Sequence, residues 1–368
     1  MLGGLFSQTA PELRWAFFGP LKLTFPPQSG RSVDKTPGLP CGYENALMPL
    51  PLPLPYALSG KPFTIRQAKA AGLTRRRVRA QDLQSPCHGV RIPGETGITL
   101  LVRAQALALA TGAVVSHSTA AVLWGFPLPP RLGLSGGAGF QTGGHPTGKA
   151  DIHVTCQPGE RSVRRKNTVG HQSVLKPDEI TTGRHLPCTS PLRTWFDLAG
   201  LLCLDELVIA GDFLFRRKNA LSTPAALDNY LATKAGRSGY RKAIQARALM
   251  RANTDSPKET ELRLLLIRAG LPEPAINRPL FDEAGGWVQD PDMSYEEFKI
   301  AIQYDGGHHA TPAQRRSDIF RDENARELGW LVVVLTQWDL DPFAPGMAPR
   351  AVTRVRAALI NRGWKPAK

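Results

Sequence analysis

The stretch from Ser256 to Thr336 constrains the fold most tightly, because its apolar residues switch there from helical spacing to strand alternation. Ser256-Pro257-Lys258-Glu259 opens a helix: serine is a good N-cap, proline suits the first helical position, and Glu259 sits three residues on. Leu262, Leu265, Leu266 and Ala269 fall on one helical face, and Gly270 ends it. Ile276–Phe281 and Trp287–Ser294 read as strands around a Gly285-Gly286 turn, and Phe298–Tyr304 as a third. Thr311-Pro312 starts a long helix that stops at Gly329, and Leu331–Leu335 is a short buried strand. The order α-β-β-β-α-β predicts a mixed sheet with flanking helices, of α/β (α+β) class.

That pattern also places the polar residues. Side chains alternate along a strand, so Phe298, Ile300, Ile302 and Tyr304 share one face, and Lys299, Ala301, Gln303 and Asp305 the other. A short turn near Glu296 brings Asp292 beside Gln303. Asp292, Gln303 and Asp305 are then expected to converge on one sheet face, with Glu259 approaching from the helix, and Gly306-Gly307-His308-His309 ending the strand in a bend with two imidazoles. Hard oxygen donors on neighbouring strands suit Mg²⁺ or Mn²⁺. Such an ion polarises a phosphodiester and lowers the pKa of a water. Each residue also has a plain structural alternative. Glu259 closes a capping box, Asp290-Pro291-Asp292 makes a turn, and His308-His309 is a solvated pair.

Charge divides the chain of 368 residues sharply. Its net charge is +15, but residues 256–368 hold 15 basic and 16 acidic side chains, leaving 31 and 15 for residues 1–255. A basic front half points to a polyanionic partner, most often nucleic acid. Within it, residues 1–60 are proline-rich, with Pro49, Pro51, Pro53 and Pro55 alternating, and are expected to be an unfolded leader, unless the reading frame begins at Met48 and residues 1–47 are not translated. Residues 61–95 then read as a winged helix-turn-helix. Ile65, Ala68 and Ala71 mark a helix ended by Gly72, Thr74 caps a second, and His88–Ile92 is a strand. The second helix would present Arg75, Arg76, Arg77 and Arg79 to DNA.

Residues 96–255 predict a helical and mixed basic region, with helices over Ile98–Thr111, from Ser116 to Trp124, over Pro191–Leu202 and over Asp205–Phe215. His117 reads as a packed histidine behind a cap, since no acidic partner is evident nearby in sequence. The glycine-rich Gly133–Gly148 matches no phosphate-binding fingerprint. No apolar run approaches the roughly 18 residues that span a bilayer. Five cysteines without a Cys-x-x-Cys pair argue against a disulfide scaffold and a cysteine zinc site, so a reducing cytoplasm is the expected setting.

Two resemblances attach to these residues. Ser256-Pro257-Lys258-Glu259, Asp290-Pro291-Asp292, Gln303-Tyr304-Asp305-Gly306-Gly307-His308-His309 and the run Gln314, Asp318, Arg321, Leu328-Gly329-Trp330 resemble the PD-(D/E)XK nuclease superfamily, and within it the Vsr-like very-short-patch-repair endonucleases. The resemblance implies Asp292, Gln303 and Asp305 around a magnesium or manganese ion, Glu259 as a supporting carboxylate, and His308 or His309 as general acid or base. The usual Glu-x-Asp-Gly is Gln303-Tyr304-Asp305-Gly306 here, and the superfamily lysine has no counterpart. Phe63–Ile92, Ser116–Gly125 and Ser190–Thr194 resemble AbiEi-like type IV antitoxins, which implies a winged helix that binds operator DNA and a possible toxin partner. The expectation is a DNA-binding protein whose residues 256–368 form a divalent-metal endonuclease-like domain. The alternative is a non-enzymatic regulator or antitoxin-like protein carrying a degenerate nuclease fold.

Overall fold

A computed structural model describes residues 51–132, 151–183, 186–306, 312–341 and 347–366, with the side chains of 312–319 left aside. It is a mixed α/β protein. The first elements are β1 (Phe63–Thr64), α1 (Ile65–Ala70), α2 (Arg75–Val78), β2 (Leu83–Gln84) and β3 (Val90–Pro93). Thr64 caps α1 reciprocally: its hydroxyl accepts from the Gln67 N–H at 3.1 Å, and the Gln67 side chain accepts from the Thr64 N–H at 2.8 Å. Thr74 caps α2 in the simpler way. The strands form an antiparallel sheet in the order β1-β3-β2. Leu58, Phe63, Ala68 and Val78 make its core, with Leu54, Leu73 and Leu83 packed against them. Residues 51–60 therefore belong to the fold, against the expectation of an unstructured leader up to residue 60. Leu54 and Leu58 supply apolar surface that the alternating prolines concealed. Residues 1–50 lie outside the described residues.

Next come α3 (Leu100–Thr111), β4 (Val114–Val115), α4 (His117–Trp124), β5 (Ile152–Cys156), β6 (Thr168–Gln172), β7 (Ile180–Gly183), β8 (Leu186–Thr189), α5 (Pro191–Leu198), α6 (Leu204–Leu214), α7 (Pro224–Ala232) and α8 (Tyr240–Leu249). The sheet runs β6-β5-β4-β8-β7, parallel at β5/β6 and β4/β8, antiparallel at the other two pairs. Ile152, Val154 and Cys156 alternate into a core with Leu100, Ala104, Leu107 and Val122, as period two requires. Trp195, Leu198, Leu207, Leu214, Leu227 and Met250 build a second, helical core. Gly170 in β6 is required by close approach: a Cβ there would collide with the Val163 carbonyl.

The last elements are α9 (Pro257–Arg268), β9 (Ala275–Ile276), β10 (Leu280–Phe281), β11 (Trp287–Gln289), β12 (Met293–Tyr295), β13 (Ile300–Asp305), α10 (Pro312–Glu327), β14 (Leu331–Thr336), α11 (Gln337–Leu340) and α12 (Arg350–Asn361). The main sheet is β14-β13-β12-β9, with β13 and β14 parallel across the α10 crossover, and β10 and β11 form a separate hairpin. The expected strand at 276–281 is thus split. The strand at 287–294 is also broken, where Pro291 cannot donate to a ladder. Lys299 lies outside β13, in left-handed conformation at φ 48°, so the expectation that it shares the Gln303 face fails. Helix α12 was not foreseen. It covers the sheet with Val352, Val355 and Leu359.

Helix α9 serves two cores at once. Leu262 and Leu266 enter the sheet core with Met293, Ile300 and Ile302, while Leu264 enters the helical core beside α6. Between them Arg263, fully buried, bonds the buried Asp212 of α6 at 2.9 Å. Thr260 Oγ1 donates to the same carboxylate at 2.9 Å. The boundary drawn at residue 256 is therefore a packed junction rather than a linker.

Candidate functional site

The register of the last sheet decides which side chains meet. Met293 stands opposite Ile302 and Tyr295 opposite Ile300, on the face that packs into the core with α9. One residue on, Ser294 stands opposite Ala301, and Asp292 immediately precedes the paired residues of β12. Gln303 and Asp305 alternate with Ala301 on the other face of β13. Asp292 Oδ2 accepts the Tyr304 N–H at 2.6 Å. Gln303 is half-buried and Asp305 exposed at the strand end. His308 and His309 lie outside the described residues.

Glu259 comes to this region from the first turn of α9 and is buried. Its backbone N–H donates to Ser256 Oγ at 3.2 Å, but its carboxylate does not complete a capping box. One oxygen, Oε2, instead accepts from the Asp255 N–H at 2.9 Å and from Asn277 Nδ2 at 2.8 Å. Burial raises the Glu259 carboxyl above its usual range despite those bonds. Asp292 is pushed up to about 6 by burial first; the Tyr304 N–H opposes this, and the charges of Glu259 and Asp255 add to it. Carboxylates crowded in this way favour a proton or a cation between them.

Sequence reasoning missed the cation that is present. Arg217, beyond the end of α6, bonds Asp255, with Nε 3.2 Å from Oδ1, and lies 3.9 Å from Asp290 Oδ2. It sits in the Arg216-Arg217-Lys218 cluster, which reads as general positive charge until the α6–α9 packing brings it to the carboxylates. Among the described residues, the Ser294 hydroxyl on the site face and the Gln289 amide are buried without a hydrogen-bond partner.

The arginines of α2 do not act as one set. Arg75, Arg76 and Arg79 are exposed. Arg77 is buried. Its guanidinium takes Asp82 in a two-point bond at 2.9 and 2.7 Å and also bonds the Leu52 carbonyl. Arg77 is therefore not available with the other three as the sequence suggests, and instead ties α2 to Asp82 and to residue 52. Beside this unit a cavity of about 480 Å³ is lined by His88, Arg103, Arg165 and Lys166, and Arg165 Nη1 donates to the His88 carbonyl at 3.0 Å.

His117 needs a correction too. It starts α4 at φ 49°, and its Nδ1 is 2.9 Å from Ser116 Oγ and 3.9 Å from Asp197 Oδ2 of α5. An acidic partner exists, 80 residues away in sequence. Arg193 Nε donates to Asp197 Oδ1 at 2.8 Å, and Arg193 Nη1 lies 3.3 Å from Glu179. Lys234 and Tyr230 also donate to Glu179, at 2.6 and 2.7 Å. Burial opposes ionisation of Glu179, yet the Lys176 N–H, Lys234 and Tyr230 together pull its carboxyl down to about 2. Asp197 goes the other way, raised to about 6 by burial against the pull of Arg193.

The chain is similar to proteins without an assigned activity. An uncharacterised protein of Mycobacterium tuberculosis strain H37Rv is 28% identical over 247 residues, which is 66% of this chain and 81% of that protein. An uncharacterised protein of strain CDC 1551 matches to the same extent. No family model matches the chain, and no solved structure matches it. No described helix is long and apolar enough to cross a membrane.

Proposed function

We propose that the protein binds DNA through its basic first half and hydrolyses phosphodiester bonds at the Asp292–Gln303–Asp305 face. The observation that supports this reading is the Tyr304 N–H bond to Asp292, which holds that carboxylate at β13 between Gln303 and Asp305 in sequence, with Glu259 near enough for its charge to be felt. The donor set fits a hard divalent ion: two carboxylates and an amide oxygen, with one Asp292 oxygen already engaged by the Tyr304 N–H. Asp292, Gln303 and Asp305 would hold Mg²⁺ or Mn²⁺, and the bound ion supplies Lewis acidity and a lowered water pKa. The chain's own groups do the rest. The Tyr304 N–H fixes the Asp292 carboxylate. Asn277 and the Asp255 N–H hold Glu259 behind it, and Arg217 offsets the negative charge. The exposed Arg75, Arg76 and Arg79 would bind the phosphate backbone and position the duplex.

The test is nicking of supercoiled DNA by the full chain with Mg²⁺ or Mn²⁺. Activity is expected in the wild type and lost in an Asp292→Ala, Asp305→Ala double variant. Equal activity in both rejects the assigned site.

Gln303 favours a second reading, a DNA-binding regulator with a degenerate nuclease fold, because an amide brings no charge to a hard cation. DNA binding without nicking, together with no Mn²⁺ binding at millimolar concentration, selects it.

A further inference from the structure

The segments Ser116–Gly125 and Ser190–Thr194 play no part in the nuclease reading, yet they converge. Trp124 Nε1 donates to the Thr189 carbonyl at 2.9 Å, Ser190 caps α5, and α5 carries Arg193 and Asp197 up to His117. The neighbouring sheet adds two more imidazoles. β5 and β6 are parallel, with Thr155 opposite His171 and His153 opposite Val169, so His153 and His171 are diagonal neighbours on one face. The Ser116 N–H donates to the His153 carbonyl at 3.0 Å, which sets His117 beside them.

We propose that His117, His153 and His171 bind one divalent transition-metal ion of the zinc class, at the edge of the cavity that His117 and His171 line. One ring nitrogen from each residue lies within 4.8 Å of the other two. His153 Nδ1 and His171 Nε2 are 3.0 Å apart. A tetrahedral ion with bonds of about 2.0–2.1 Å holds its ligand nitrogens about 3.3 Å apart, so this pair is already at ligand spacing. The His117 and His171 rings stack at 3.6 Å, and a shared ion requires one ring to turn out of that stack. Nitrogen donors suit zinc-class ions rather than Mg²⁺, which separates this site from the oxygen face of the last sheet.

Two further features support a ligand. The Asp197 Oδ2 atom, buried and without a hydrogen-bond partner, faces His117, a placement suited to orienting a metal-bound imidazole. Beyond the rings lies a cavity of about 470 Å³. Its lining includes Arg193 and the exposed Lys176 and Arg237, so the ion's remaining coordination position would be taken by water or a small anion.

The experiment uses the full chain, stripped with a chelator and then titrated with Zn²⁺ and Co²⁺. Metal content after dialysis and the ligand-field absorption of the Co²⁺ form are the readouts. One ion per chain that gives nitrogen-ligand bands is expected, distinct from any ion on the oxygen face of the last sheet. In His153→Ala and His171→Ala, affinity should fall at least tenfold, since loss of a ligand's outer partner alone already costs about 10–100-fold, with an unchanged circular dichroism spectrum. Asp292→Ala should leave the nitrogen-ligand bands unchanged whatever it does to total metal content, so the outcome is independent of nicking. A folded wild type that takes up no Zn²⁺ or Co²⁺ at micromolar concentration overturns the proposal, as does full binding by His171→Ala. Should His153→Ala not fold, His171→Gln and the wild-type Co²⁺ spectrum decide; absence of nitrogen-ligand bands is then the overturning result.

Discussion

Replacing Asp292 by asparagine should make the protein more stable at neutral pH while removing its proposed activity. The Asp292 carboxyl is raised to about 6, chiefly by burial, from an ordinary value of 3.8. The native state therefore keeps a proton that the unfolded chain releases. Below pH about 4 both states are protonated and the group contributes nothing. Between pH about 4 and 6 the native protein is penalised progressively, and above 6 the whole penalty stands. Two pH units at 1.36 kcal/mol each give about 3 kcal/mol. The substituted asparagine would still accept the Tyr304 N–H through its amide oxygen but would carry no charge. The assay is urea denaturation of wild type and Asp292→Asn from pH 4 to 7.5 in EDTA, so that no cation relieves the repulsion. The stability difference should be near zero at pH 4 and rise to about 3 kcal/mol in favour of the variant at pH 7. The corresponding gain in Tm is roughly 6–12 °C, at about 2–4 °C per kcal/mol. Parallel curves, or a variant less stable at pH 7, would refute the reasoning. Mn²⁺ should then narrow the gap by stabilising the wild type alone.

Other expectations follow from the same geometry. Arg263→Ala should cost about 3–5 kcal/mol by leaving Asp212 buried without a counter-charge, whereas Asp212→Leu combined with Arg263→Met should cost less, as measured by chemical denaturation. Joint replacement of Arg75, Arg76 and Arg79 by alanine should weaken duplex binding at all sequences and lower the salt slope by about 2–3, which a salt titration of the binding constant checks. Arg77→Ala should act differently, lowering Tm through loss of the Asp82 and Leu52 bonds. Gln303→Glu should tighten Mn²⁺ binding several-fold, read by calorimetry of the full chain.

Much of the last sheet was legible in the sequence because its signals are local. Ser256, Pro257 and Glu259 mark the α9 start, and the alternation of Ile300, Ile302 and Tyr304 fixes which face Gln303 and Asp305 occupy. The strand breaks at Asp290-Pro291-Asp292 and at Lys299 were less legible, since they depend on one missing N–H and one left-handed residue. What escaped altogether was long-range pairing. Arg77 looked like its three neighbours until Asp82 and the Leu52 carbonyl enclosed it. Arg217 gained its carboxylates only through helix packing. The three histidines lie on three different elements, α4, β5 and β6, and the β5/β6 register and the Ser116–His153 bond bring them together. Asp197, which sequence proximity to His117 could not suggest, arrives on α5.

Helix α9 has a consequence for how the molecule comes apart. Its faces are divided between Leu264 on the one side and Leu262 with Leu266 on the other, and its middle holds the only cation bonded to the Asp212 side chain among the described residues. Melting of either neighbour strips that helix of one of its two buried faces. The two regions are consequently expected to lose structure in a single cooperative step, and a protease that nicks between Asn253 and Ser256 would liberate no self-sufficient fragment. A gene carrying this arrangement cannot shed its tail and keep its middle. The region that folds around the histidines and the one that presents Asp292 persist, or fail, as one thermodynamic unit.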